Sequence, residues 1–104
     1  EEIGGVKFIG RVLDGVDGKA LRPIIEELKT QADVVAVVGV NGGKAAVAVA
    51  SALPDRFSSA DLVKVAVIAM GGQGGGGRPD FAQGGAPDGS KAQAGVAAVR
   101  ASLA

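Results

Sequence analysis

The stretch that most constrains this chain is VVAVVGV at residues 34–40, followed by Asn41-Gly42-Gly43 and then KAAVAVAS at residues 44–51. A continuous β-branched run bounded by turn residues reads as a buried strand. Asn and Gly tolerate the positive φ that a tight hairpin requires. The pattern predicts a strand, a hairpin turn and an antiparallel return strand.

The flanking segments supply the other elements. Residues 6–13 (VKFIGRVL) read as a further strand despite Gly10, and Asp14-Gly15 with Asp17-Gly18 marks a turn after it. Residues 19–31 read as a helix, because Leu21, Ile24, Ile25 and Leu28 fall at i, i+3, i+4 and i+7. Pro23 fits only the first turn of a helix, so the regular part starts near Lys19 or later, or kinks at the proline. Strand, helix and strand in this order predict a right-handed βαβ crossover. Ser58 and Asp61 have the spacing of a capping box, with Asp in the Glu role. They open a second helix, running to about Met70 and apolar on nearly every face, so it is buried on most sides or covered by a partner. A last helix runs from about Ser90 to the end, with Ala92, Val96, Val99 and Leu103 as its stripe. The expected fold class is α/β, a small mixed β-sheet with packed helices in the order β-α-β-β-α-(Gly-rich loop)-α. Residues 1–104 are expected to form a single domain.

Several functions are excluded by what the chain lacks. It has no Cys and no His, which removes disulfides, Cys/His zinc sites, thiol catalysis and imidazole acid–base chemistry. No catalytic residue, no metal site and no cofactor is expected. Its 11 basic and 11 acidic residues give zero formal charge, which argues against strong nonspecific nucleic-acid binding. The apolar stretches are too short to cross a membrane. The chain opens on Glu1-Glu2-Ile3, as a fragment of a larger protein or a processed chain would.

Residues 71–89 carry half of the chain's 18 glycines, beginning GGQGGGGRPDFAQGG. A flexible linker would be rich in Ser as well as Gly, whereas this stretch reaches Ser90 before its first serine. It also lies between two helices with apolar stripes. Consecutive glycines let a ligand approach the backbone closely, and their N–H groups can converge on an anion. Arg78 can grip a phosphate bidentately or stack on a base. Gln83 offers a donor and an acceptor. Phe81 reads as an anchor for the loop, and Asp80 as a partner for Arg78 or a solvated carboxylate. No Gly-Lys-Ser/Thr follows, so this is no Walker loop, and it does not open a helix after a strand as a dinucleotide fingerprint does. The residues alone describe an α/β module whose Gly-Arg loop holds a polyanionic ligand.

The Gly71–Gly85 signature, with LDGVDGKALRPIIEELK, the hairpin and PDRFSSADLVKVAVIAMGG, resembles the C-terminal domain of bacterial alanyl-tRNA synthetases, C-Ala, within the wider DHHA1 family. The resemblance covers essentially the whole chain. Phosphoesterases of that family carry a Gly-Gly-Gly-His loop and a separate metal-binding DHH domain. Arg78 stands here at the corresponding place, which favours the synthetase branch. The resemblance implies a cytoplasmic domain of an alanine–tRNA ligase that binds the elbow of tRNA(Ala) and helps the aminoacylation and editing domains work on one bound tRNA. Gly74, Gly75, Gly76, Gly77, Arg78 and Gln83 would contact the RNA. Lys7, Arg11, Lys44, Lys64 or Lys91 would add phosphate contacts if they share that face. ATP, alanine and metal ions would belong to other domains of the parent protein, and the fragment itself would have no ligase activity. Two alternatives stand beside this one. The chain could be the substrate-binding module of a DHH-type phosphoesterase, or a structural module that docks or forms a homodimer through the apolar second helix.

Overall fold

A computed structural model describes residues 2–53, 55–72 and 75–103. A short strand β1 (Glu2–Ile3) turns back onto β2 (Val6–Asp14), and α1 (Gly18–Leu28) leads to β3 (Val34–Asn41). The expected hairpin follows: β4 (Lys44–Ser51) returns antiparallel to β3, with Asn41 opposite Lys44. Gly42 and Gly43 at the turn have φ of +62° and +79°, which is why the position takes glycine. Next come α2 (Ser59–Ala69), β5 (Gly76–Gly77), β6 (Phe81–Ala86), a 3₁₀ turn over Gly89–Lys91 and α3 (Ala92–Leu103).

The six strands form one sheet in the order β1-β2-β3-β4-β6-β5. β2 and β3 pair in parallel, Phe8 opposite Val34, with α1 as the expected crossover; the other pairs are antiparallel. Side chains alternate across a strand. Val34, Ala36 and Val38 therefore pack under α2 and α3, while Val35 and Val37 pack under α1. β4 repeats this with Val47 and Val49 on one face and Ala48 and Ala50 on the other. Burial on both faces is the physical reason the central run carries no polar residue. Each fully buried valine contributes about 1.5–3 kcal/mol of transfer free energy.

The mixed α/β class stands, and three local expectations are corrected. The stretch expected to be a loop contains β6, whose ladder with β4 runs from Ala45 opposite Ala86 to Ala50 opposite Phe81. Gly84 and Gly85 hid it, because glycine is depleted in strands. α1 ends at Leu28 and not at residue 31, where Gln31 N–H already donates to Leu28 O and Thr30 Oγ1 to Glu27 O. Pro23 sits inside α1 on its exposed side, and Asp17 caps the helix by accepting from the Lys19 and Ala20 amides at 3.1 and 3.2 Å. The capping box at α2 does not form. The Ser58 side chain makes no cap bond; separately, the Ser59 amide donates to the Pro79 carbonyl at 2.8 Å.

Candidate functional site

Arg78-Pro79-Asp80-Phe81 is the tight turn joining β5 to β6. Arg78 N–H donates to Phe81 O at 2.8 Å, and proline ahead of Asp80 presets the backbone for such a turn. Both sides of the tip are pinned. The Pro79 carbonyl accepts from Ser59 at the start of α2, and the Asp80 carbonyl accepts from Ser51 at the end of β4 at 3.0 Å. A stretch that composition would allow to be slack is thus an anchored hairpin on the sheet.

Alternation along β6 divides its side chains between the two faces. Ala82 and Ala86 join the core beneath α2, whereas Phe81 packs into the cluster beneath α1. Gln83 shares the face of Phe81, and its Nε2 donates to the Gly18 carbonyl at the start of α1, at 3.0 Å. Arg22, from the second turn of α1, lies over the Phe81 ring at 4.9 Å from its centroid. Between α1 and the hairpin opens a cleft of about 330 Å³, walled by Arg22, Gly76, Gly77, Arg78, Asp80 and Gln83 over Phe81.

Four of the residues expected from the sequence therefore meet: Gly76, Gly77, Arg78 and Gln83. Gly75 turns the other way. Its φ of +107° is what favours glycine there, and the direction a Cβ would take points toward Val67 of α2 at an ordinary contact distance of 3.4 Å. Gly74 lies outside the described residues. Gln83 has a structural task as well, since one of its N–H groups ties β6 to α1. The basic residues named as possible additions do not join the cleft. Lys64 lies on α2, Lys91 follows β6 beside Gly71, Lys7 and Arg11 lie on β2, and Lys44 lies at the β3–β4 turn. Arg22 takes their place and was not foreseen. Its signal was its position beside Leu21 and Ile25, which puts it at the border between helix and sheet.

The glycines separate by cause. At Gly84 a Cβ would lie 2.7 Å from Val67 Cγ2, and at Gly77 it would lie 2.7 Å from Ala82 Cα. Gly76 differs: it has no positive φ, and a Cβ there would meet nothing within 4 Å. Nothing inside the described chain requires glycine at Gly76, and it faces the cleft.

Among the described residues no cluster of His, Cys, Asp or Glu could hold a metal ion, and no helix is long and apolar enough to cross a membrane. The cleft offers hydrogen-bond donors, one carboxylate and two guanidinium groups, which is the chemistry of a binding site. Residues 5–104 match the DHHA1 domain family. The chain belongs to that family. The DHHA1 domain aligns over its whole length with the alanine–tRNA ligases of Caulobacter sp. strain K31 and Rhizorhabdus wittichii, at 61% and 55% identity. It spans 12% of the length of each. The C-Ala domain from Aquifex aeolicus alanyl-tRNA synthetase has the same fold, with a TM-score of 0.89 at 24% identity, over 99% of this chain and 96% of that one.

Proposed function

We propose that this DHHA1 domain is the tRNA-binding module of an alanine–tRNA ligase, that it contacts the elbow of tRNA(Ala), and that it couples aminoacylation with editing by holding one tRNA for both. The parent would be a cytoplasmic ligase, with ATP, alanine and metal ions handled by its other domains and residues 1–104 forming one appended unit. The observation that carries the reading is Gly76. A backbone stripped of its side chain, with no reason for it among the described residues, stands beside Arg78 in an open cleft. Close approach of a ligand supplies the reason. Arg78 matches the flat, bidentate geometry of a phosphate. The ligases aligned above support tRNA as the source of that phosphate.

The test is a titration of the chain with tRNA(Ala) transcript and with unstructured RNA of equal length, repeated with Arg78→Ala. Preference for the folded RNA, with a loss of about tenfold in the variant, is expected for one charge-assisted contact. Equal affinity of chain and variant for both RNAs overturns the reading.

A second reading draws on α2, where Ile68 is 70% and Val65 39% exposed beside Lys64. This stripe suits a docking or dimer surface. Sedimentation equilibrium over a concentration series decides it, a strict monomer counting against self-association.

A further inference from the structure

Phosphate recognition leaves one feature of the cleft unused. Arg22 is exposed and lies over Phe81, and Phe81 is half-buried in the cluster under α1, so the ring is a fixed surface. No carboxylate pairs with Arg22 or with Arg78 among the described residues. A guanidinium is planar and weakly hydrated, so it stacks on ring faces as an ammonium does not. Asp80 lines the same wall and is acceptor-only when ionised. It would repel a second phosphate but would accept from the N–H groups at the edge of a nucleobase. A volume of about 330 Å³ is at the lower end of the ~300–1,000 Å³ found for small-molecule sites, room for more than a phosphate group alone.

We propose that Arg22, seated on Phe81, is the platform on which an exposed RNA nucleobase stacks. Arg78 holds the phosphate of that nucleotide or its neighbour, and Asp80 and Gln83 face the hydrogen-bonding edge of the base. The inference rests on the RNA-binding reading above and adds to it a base-stacking residue from a different element.

Arg22→Lys keeps the charge and loses the plane. With tRNA(Ala) transcript, the variant is expected to bind about tenfold more weakly, in the range measured for loss of one stacked base. The dependence of affinity on salt stays unchanged, because the number of cations is unchanged. A second measurement uses NMR with AMP and ribose 5-phosphate as probes. AMP is expected to shift the Arg22 side-chain and Phe81 ring resonances. Ribose 5-phosphate is expected to shift only Arg78 and the hairpin amides. Wild-type affinity in Arg22→Lys overturns the platform, as do equal shifts at Arg22 from both probes, or none from AMP. If Arg78→Ala weakens tRNA binding while Arg22→Lys does not, the RNA-binding reading stands and the platform falls. If the unaltered chain shows no preference for tRNA, both fall.

Discussion

Replacing Gly84 by Ala tests whether the glycine signature is partly a packing device. A Cβ at Gly84 would sit 2.7 Å from Val67 Cγ2, where ordinary contact begins at 3.4 Å, so strand or helix must retreat by about 0.7 Å. Val67 cannot swing aside. It is fully buried, and a valine in a helix has one strongly preferred rotamer. The whole of α2 must move, loosening Leu62, Val63 and Ala66 along with it. Overpacking of this kind costs about 1–3 kcal/mol, and restricting the unfolded chain returns about 0.4–1 kcal/mol. Gly84 has no positive φ, so backbone strain adds nothing. The net destabilisation is about 1 kcal/mol, a fall in Tm of about 4–8 °C in a domain of this size. Thermal denaturation followed by circular dichroism reads it. Val67→Ala removes the atom responsible, so the double variant should be more stable than the sum of the singles by about 1 kcal/mol. Gly76→Ala is the control, with an unchanged Tm and weakened tRNA binding. Full stability of Gly84→Ala, or simple additivity in the double variant, would refute the steric argument.

Asp17→Ala removes the cap on the Lys19 and Ala20 amides and should destabilise the chain by about 1 kcal/mol in urea denaturation. Asp88 Oδ1 accepts from Ser90 Oγ at 2.6 Å and from the Ser90 amide at 2.9 Å, and these bonds hold its carboxyl below the ordinary value of 3.8. A lowered folded pKa means the stabilisation is fully present above 3.8 and is lost as pH falls through the folded value. A carboxyl-carbon NMR titration should find the Asp88 midpoint below 3.8 and find it raised in Ser90→Ala, which removes the side-chain bond and leaves the backbone one.

The central hairpin was legible because two independent signals agreed: a β-branched run needs burial, and Asn41-Gly42-Gly43 needs a turn. The α1 stripe was equally legible, with Leu21 and Ile25 fully buried and Ile24 and Leu28 packed beside them. β6 was not. FAQGGA carries one aromatic and two glycines, and what makes it a strand is the β4 edge beside it and α2 above, neither of which is local in sequence. The same cause hid Arg22. A residue flanking an apolar stripe can be placed at a sheet border only when the bordering strand is known, and here that strand is β6. Arg78 was found because it interrupts glycines. The capping box is a local pattern that the structure does not use: the Ser58 side chain makes no cap bond, and the start of α2 is tied down by the Pro79 carbonyl, which accepts from the Ser59 amide twenty residues away in sequence.

Separating the glycines by cause changes what the signature says about binding. Gly75, Gly77 and Gly84 are accounted for by positive φ or by neighbours inside the chain, so they shape the hairpin and hold it under α2. That leaves Gly76 and the side chains of Arg22, Arg78, Asp80 and Gln83 as the groups that would meet the proposed ligand. Two guanidinium groups and one carboxylate give the cleft little net charge, and the whole chain has none. Counterion release scales with the number of phosphates neutralised, so such a site, if RNA is its ligand as proposed, would bind weakly by charge alone and would gain its preference from shape and stacking. Weak binding suffices in the proposed arrangement. The aligned ligases are far longer than this chain, which spans 12% of them, and a module tethered to the rest of a ligase meets an already bound tRNA at an effective concentration near millimolar. In that arrangement a weakly charged cleft would have an advantage over a strongly basic one, because it would let tRNA go when the rest of the ligase does.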